Sequence, residues 1–211
     1  MKKETIESLI TQAEEDYGIP LSPEQAARSR AYLGLLLHWN RQISLISVSD
    51  MRELVRFHLF ESFFAETRLP FPVGSIADIG SGAGFPGIPM HILSPERDTW
   101  LIEKSLKKST FLSAALRETA LPGQVLSRPS EEAAIYSGVE LATVRALKLS
   151  AETLHQLHAS GTGLLILEGR KSQLEGEPWK MVLEECCPFS ENRMLRVFQP
   201  DVSRETFHPR D

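Results

Sequence analysis

Three glycines at alternate positions, Gly80, Gly82 and Gly84, lie between a short apolar segment and a predicted helix. Glycine allows a tight backbone turn and lets a ligand come close to the main chain. The N-terminus of the following helix adds free N–H donors and the positive end of a dipole. Because open parallel sheets bind ligands at the carboxyl ends of their strands, the sequence predicts a ligand site at this turn.

Apolar segments and helical stretches alternate from residue 75 onward. This alternation predicts a parallel sheet with helices on both faces, whereas 179–187 and 192–198 predict an antiparallel hairpin at the sheet edge. The predicted strands are 75–79, 99–103, 123–127, 140–144 and 163–168, and the predicted helices are 86–94, 105–119 and 150–159.

The chain before this region has helical patterns. Residues 4–17 carry apolar side chains at helical spacing. Ser22, followed by Pro23 and Gln25, is a strong start for a helix that runs to about Trp39. A third helix is predicted to begin after a cap at either Ser49 or Asp50.

A segment rich in proline and glycine, 69–74, ends the helical pattern. We therefore expect a helical extension over 1–72 and a main domain over 73–200. Residues 201–211 are polar and are predicted to form a loose tail.

Composition places the chain among ordinary globular proteins. Hydrophobic residues make up 42% and charged residues 24%, which argues against a disordered chain. The net charge of −5 argues against nonspecific nucleic-acid contacts over the whole surface, although it allows one basic face. No apolar run approaches the ~20 residues of a membrane span, and the adjacent Cys186 and Cys187 fit reduced thiols. These features predict a cytoplasmic protein.

Two classes of ligand use a glycine turn of this kind. Gly82-x-Gly84-x-x-Gly87 matches the dinucleotide fingerprint, which leaves an NAD-dependent oxidoreductase as one interpretation. Asp78 favours S-adenosylmethionine, because a carboxylate suits its cationic amino-acid end and suits a pyrophosphate poorly. Glu103, at the end of the second predicted strand, is placed to accept hydrogen bonds from the ribose hydroxyls of either ligand.

The run Gly80-Ser-Gly-Ala-Gly-Phe-Pro-Gly-Ile-Pro89 resembles the motif of the bacterial glucose-inhibited division protein B family, also called RsmG. Segments 38–48, 107–112 and 144–146 resemble further motifs of the family, and the resemblance covers roughly residues 5–200. It implies a class I S-adenosylmethionine-dependent methyltransferase, an α/β Rossmann-like fold. It also implies methylation of N7 of a guanine in 16S ribosomal RNA of the small subunit. We expect a monomer that uses neither a metal nor a membrane.

The resemblance also implies roles for individual residues. Gly80 and Phe85 fall on cofactor-contacting positions, and the segment 128–131 falls where the family holds the adenine. Arg145 falls on a cofactor-contacting arginine and is predicted to clamp a phosphate or guanine O6 as the catalytic residue. The predicted cofactor-binding residues are Asp78, Gly80, Gly82, Gly84, Phe85, Glu103, Pro129, Ser130, Glu131 and Arg145. The predicted RNA-binding residues are Lys107, Lys108, Arg170 and Lys171.

Two departures from the family pattern keep a further interpretation open. Pro129 and Ser130 are inserted before the expected glutamate, and Glu168 stands where the family has a lysine. A carboxylate near the site would weaken RNA binding, so a ribosome-assembly or rRNA-binding protein with weak catalysis is a second hypothesis.

Overall fold

Seven strands form one mixed sheet in the computed structural model, which describes residues 5–48, 50–133, 135–172, 174, 178–190 and 192–201. Their order across the sheet is 3-2-1-4-5-7-6; the first five are parallel, and the seventh runs antiparallel to the fifth and the sixth. The predicted parallel sheet with a C-terminal hairpin is thus confirmed. The strands are β1 (Ser75–Ile79), β2 (Asp98–Ile102), β3 (Gln124–Leu126), β4 (Leu141–Arg145), β5 (Gly163–Glu168), β6 (Trp179–Cys186) and β7 (Met194–Pro200).

The helices begin and end close to the predicted positions. Ser22 forms a capping box with Gln25, as its sequence predicts, and the Asp50 carboxylate accepts a hydrogen bond from the Glu53 N–H at 2.8 Å. Asp50 is therefore a cap of the third helix, whereas Ser49 lies outside the described residues. The helices are α1 (Ile6–Tyr17), α2 (Pro23–Asn40), α3 (Met51–Leu54), α4 (Glu61–Thr67), α5 (Gly87–Leu93), α6 (Leu106–Glu118) and α7 (Ala151–Ala159).

A π-helical segment, Val55–Phe60, joins α3 to α4 and was not predicted. Such segments are uncommon and are concentrated at functional sites. This one places the His58 ring 5.3 Å from the ring of Phe85, which belongs to the glycine turn after β1. The N-terminal helices thereby reach the edge of the sheet where the ligand site is predicted.

Successive residues of β1 point to opposite faces of the sheet, as the period of a strand requires. Ile76 belongs to a hydrophobic core that includes the fully buried Tyr32 and Phe63 of the N-terminal helices. Ala77 belongs to a second core, which α7 covers with Leu157. The N-terminal helices thus share a core with the sheet, while the boundary near residue 72 stays a prediction.

No helix within the described ranges combines the length and the apolar character that a membrane span needs. Residues 202–211, most of the predicted loose tail, lie outside the part of the chain that the structure describes.

Candidate functional site

A cavity of about 440 Å³ opens at the carboxyl ends of β1, β2 and β4. Its walls come from the glycine turn after β1, from Glu103 and Lys104 after β2, from 128–131 after β3 and from 145–150 after β4. This is the edge at which open parallel sheets bind ligands. The predicted residues that line the cavity are Gly80, Gly82, Glu103, Lys108, Pro129, Ser130, Glu131 and Arg145.

The glycine turn needs its first and second glycines for their backbone conformation. Gly80 and Gly82 have φ of 70° and 56°, in the left-handed region that side chains with a Cβ rarely adopt. The turn is held to the next strand because the N–H groups of Gly80 and Ser81 both donate to the Ile102 carbonyl, at 2.8 and 3.1 Å. The backbone of Gly82 is open to the cavity, since among the described residues an added Cβ would meet only the Gly80 carbonyl, at 3.7 Å.

The third glycine and Phe85 face the protein interior instead of the cavity. A Cβ on Gly84 would lie 2.6 Å from Ile88 and 3.1 Å from the Tyr32 hydroxyl, so this glycine admits the close packing of α2. The Tyr32 hydroxyl donates to the Ala83 carbonyl at 2.6 Å, and the Phe85 ring is buried against Tyr32. Because the Phe85 side chain is buried among the N-terminal helices, the cofactor contact predicted for this position stays a prediction.

Asp78 ties the two ends of the glycine turn together. One carboxylate oxygen accepts from the Thr143 hydroxyl at 3.0 Å, and the other accepts from the N–H of Gly87 at 3.3 Å. Burial raises the pKa of Asp78 to about 6, although these hydrogen bonds and Arg145 oppose the rise. Asp78 lies outside the cavity lining, and in this structure its carboxylate shapes the turn. The prediction that it holds the amino-acid end of the ligand, directly or through water, stays a prediction.

Glu103 connects the glycine turn to the start of α6 and faces the cavity. Its Oε2 accepts from the N–H of Gly82 at 3.0 Å, and its Oε1 accepts from the N–H of Ser105 at 2.8 Å. A carboxylate has about four lone-pair sites, so two stay available to other donors. The predicted acceptor for ribose hydroxyls is therefore at the expected place.

Arg145 lines the cavity but directs its guanidinium into the protein. Its Nη2 contacts Glu61 of α4 at 3.0 Å and donates to the Phe57 carbonyl at 2.6 Å, and its side chain is only 7% exposed. The predicted clamp on a phosphate or on guanine O6 is not supported by this orientation. Glu61 also pairs with Arg193 at 3.2 Å, so one buried carboxylate joins the N-terminal helices, β4 and the C-terminal hairpin.

His58, on the π-helical segment, borders this buried cluster. Burial, together with the positive charges of Arg145 and Arg193, lowers the pKa of His58 to about 3. The imidazole is therefore neutral near pH 7. Because protonation below pH ~6.5 favours the unfolded chain, where the ordinary pKa applies, His58 lowers stability progressively as the solution becomes acidic.

We expect His58→Gln to reduce the loss of stability between pH 7 and pH 5 by about 2 kcal/mol relative to the unsubstituted protein. Asp78 acts in the opposite direction, since its raised pKa favours the folded state at low pH, but it is common to both proteins. Urea unfolding at both pH values measures the difference. Equal losses in the two proteins would contradict the assignment to His58.

Besides Arg145, four cationic residues line the described part of the cavity wall, and Lys108 alone of these four was a predicted RNA-binding residue. The four are Lys104, Lys108, Arg128 and Lys148. Lys107, Arg170 and Lys171 are exposed but lie outside the cavity lining. Lys148 was missed from the sequence. Its position three residues after the end of β4 could have indicated it, but the loop that directs it to the cavity was not predicted.

Solved structures with the same fold support the class. The chain aligns over 73% of its length with a tRNA (uracil-54, C5)-methyltransferase of Pyrococcus abyssi, covering 40% of that chain at a TM-score of 0.56 and 10% identity. It aligns over 67% of its length with a chain of a fibrillarin/Nop5p complex, covering 80% of that chain at a TM-score of 0.51 and 17% identity. The sheet order and the ligand edge are those of a class I methyltransferase fold.

Residues 25–189 match the profile of the GidB family, rRNA small subunit methyltransferase G, and the chain belongs to this family. It is 33% identical over 163 residues to ribosomal RNA small subunit methyltransferase G of Halorhodospira halophila, covering 77% of this chain and 75% of that protein. It is 37% identical over 107 residues to ribosomal RNA small subunit methyltransferase G 1 of Syntrophobacter fumaroxidans, covering 51% of this chain and 48% of that protein. The chain thus spans about half the length of some curated relatives.

Proposed function

We propose that this chain transfers the methyl group of S-adenosylmethionine to N7 of a guanine in 16S ribosomal RNA. The observation that carries the proposal is the cavity where Gly82 and Glu103 meet at the carboxyl edge of the sheet, in a chain of this family. The predicted cytoplasmic location belongs to the same proposal, since the substrate is part of the ribosome.

The residues present fit this cofactor. A cavity of about 440 Å³ lies within the range that holds a nucleoside-sized ligand. The remaining lone pairs of Glu103 can accept two ribose hydroxyls, and the open backbone of Gly82 admits close contact. The segment Pro129–Glu131 lines the neighbouring wall, where the predicted adenine contacts would be made.

Catalysis by this site requires positioning more than proton transfer. S-adenosylmethionine supplies an activated sulfonium methyl group when it is bound. Guanine N7 carries a lone pair and no proton at neutral pH, so the chain needs no general base. Its residues have to hold N7 about 3 Å from the methyl group and in line with the sulfur. The described residues of the cavity wall include no histidine, which agrees with this requirement.

The cations around the cavity support RNA as the substrate. Lys104 and Arg128 are exposed at its mouth, and Lys108 and Lys148 line it from two sides. Phosphates that flank the target nucleotide would meet these charges, so they supply affinity and register, while base contacts inside the cavity supply selection. RNA contacts by Lys107, Arg170 and Lys171 stay predictions.

We expect Lys108→Ala to lower the slope of log Kd against log salt by about 0.7–0.9, the loss of roughly one phosphate contact. Arg117→Ala is the matched control, because Arg117 is exposed on the same helix about 13 Å farther along. Filter binding of 16S rRNA at several salt concentrations measures both slopes. Equal slopes for the two variants would remove Lys108 from the RNA surface.

The two other hypotheses gain no support. Neither the family nor its named relatives points to an NAD-dependent oxidoreductase. The hypothesis of weak catalysis rested on Glu168 and on the Pro129-Ser130 departure. The Glu168 carboxylate pairs with Arg196 at 3.0 Å, and both side chains are at most 10% exposed. Glu168 therefore presents a neutralised charge instead of a free carboxylate that repels RNA. Pro129 and Ser130 line the cavity wall.

Incubation with radiolabelled S-adenosylmethionine and either naked 16S rRNA or intact small subunits tests the proposed function. We expect one labelled guanine, identified as N7-methylguanosine by nucleoside mass spectrometry. Retention on the subunit with no label transferred would support the rRNA-binding alternative and overturn the proposed activity.

A further inference from the structure

Leu147 is a large apolar side chain that is 40% exposed in the loop after β4, which lines the cavity. Its neighbours along the chain are Ala146 and Lys148, and all three residues line the same cavity. The other large aliphatic residues of the wall, Ile79, Ile102 and Leu149, are buried in the core. Leu147 thus presents apolar surface where a ligand would contact it.

The backbone holds Leu147 over the glycine turn. Ala146 has φ of 51°, a left-handed conformation that costs free energy in any residue with a Cβ and is concentrated at functional sites. The loop directs Leu147 toward the glycine turn after β1, so that a Cβ built on Gly80 would lie 2.5 Å from Cδ2 of Leu147. Gly80 therefore leaves the space that Leu147 occupies.

This contact lies at one end of the cavity. β1 and β4 are neighbours, with Ile79 opposite Val144, so the residues that follow them meet. If Glu103 holds the ribose and 129–131 hold the adenine, the sulfonium methyl lies toward β1 and β4. The target base must approach that end.

The cavity offers no aromatic platform for that base. Its wall, as far as the structure describes it, contains no phenylalanine, tyrosine, tryptophan or histidine, and the nearby Phe85 is buried under α2 and the π-helical segment. Enzymes that act on an unstacked base hold its face against aromatic or apolar side chains. Leu147 is the exposed apolar group at the required end.

We propose that Leu147 packs against the face of the target guanine and orients N7 toward the methyl group. This inference rests on the proposed function and adds a substrate contact to it. The contact involves the purine alone, so S-adenosylmethionine binding does not depend on it. The base therefore meets an aliphatic side chain at this position and not a hydrogen-bonding group.

The test measures methyl transfer to 16S rRNA together with calorimetric binding of S-adenosylmethionine alone. We expect Leu147→Ala to lower kcat about 10- to 100-fold and to leave the cofactor Kd within about twofold. Leu147→Phe should keep most of the activity, because an aromatic face can replace the aliphatic one. Leu106→Ala, at a residue 73% exposed outside the cavity, should transfer methyl groups at the normal rate.

Four results would overturn the inference. Normal kcat in Leu147→Ala shows that the base lies elsewhere. If the cofactor Kd of Leu147→Ala rises enough to explain the whole loss of methyl transfer, Leu147 contacts the cofactor and not the base. If that Kd falls, the Leu147 side chain competes with the cofactor for the glycine turn. Failure of the unsubstituted protein to make N7-methylguanine overturns the proposed function and this contact together. If the unsubstituted protein is active and Leu147→Ala has the same kcat, only this contact is overturned.

Discussion

Gly82→Val is expected to raise the Kd for S-adenosylmethionine at least about a hundredfold while the protein stays folded. Gly82 lines the cavity, and among the described residues only the Gly80 carbonyl, at 3.7 Å, lies within 4 Å of an added Cβ. A valine side chain would therefore project into open cavity space. Its N–H donates to Glu103, which means that any shift of the backbone also moves the proposed ribose acceptor. The valine side chain in the cavity and the displacement of Glu103 both weaken ligand binding, and neither changes the packing of the hydrophobic core.

The matched control for this substitution is Gly161→Val. Gly161 also has a positive φ, 74°, and no atom of the described residues lies within 4 Å of an added Cβ, but this glycine lies in the turn between α7 and β5. Both valines bear similar backbone strain, of about 1–2 kcal/mol. Calorimetry should then show cofactor binding lost in Gly82→Val and preserved in Gly161→Val. Loss in both variants, or in neither, would contradict a ligand site at the glycine turn.

Much of the fold was predictable because each element carries local signals. β1 and β5 agree with the predicted strands residue by residue, since apolar runs bounded by glycine and proline mark buried parallel strands. Ser22 was identified as a helix cap from residue type and spacing alone, and Asp50 was one of two candidates, with Ser49, for the cap of the third helix. The π-helical segment 55–60 has no comparable signal, because it reflects packing of the helix against distant residues.

The site was predictable in outline and not in its interior. The glycine turn and Glu103 are placed by short-range geometry at strand ends, so their positions at the cavity followed from the pattern. The orientation of Arg145 did not follow, because its partners Glu61 and Arg193 are far away in the sequence. A motif identifies which residue stands at a position; it does not identify the direction of its side chain.

Glu61 shows how much this hidden pairing matters. Its side chain is 1% exposed and contacts the guanidiniums of both Arg145 and Arg193. Burial raises its pKa, while the two arginines favour the charged form. Removal of the carboxylate would leave Arg145, itself 7% exposed, as a buried cation without its counter-ion. We therefore expect Glu61→Ala to lower the free energy of unfolding by about 3–5 kcal/mol.

Glu185→Ala is the matched control for Glu61→Ala. Glu185 pairs with Arg68 at 3.2 Å and likewise joins the N-terminal helical region to the C-terminal hairpin, but the two side chains are 34% and 50% exposed. Solvent screens such a pair, so its loss should cost only about 0–1 kcal/mol in urea unfolding. Comparable losses in the two variants would contradict the prediction that the buried ion pairs of Glu61 stabilise the fold more than an exposed pair does.

A double variant separates two effects of Glu61→Ala: loss of the attraction between Glu61 and Arg145, and burial of the Arg145 charge without a counter-ion. Glu61→Leu combined with Arg145→Met removes both members of the buried pair, and the remaining Arg193 is 37% exposed and can be solvated. Replacement of both charges by apolar groups of similar size is often close to neutral, whereas removal of one is strongly destabilising. The double variant should therefore unfold at higher urea concentration than Glu61→Ala. If it is less stable than the single variant, the cost at Glu61 comes from lost packing and not from an uncompensated arginine.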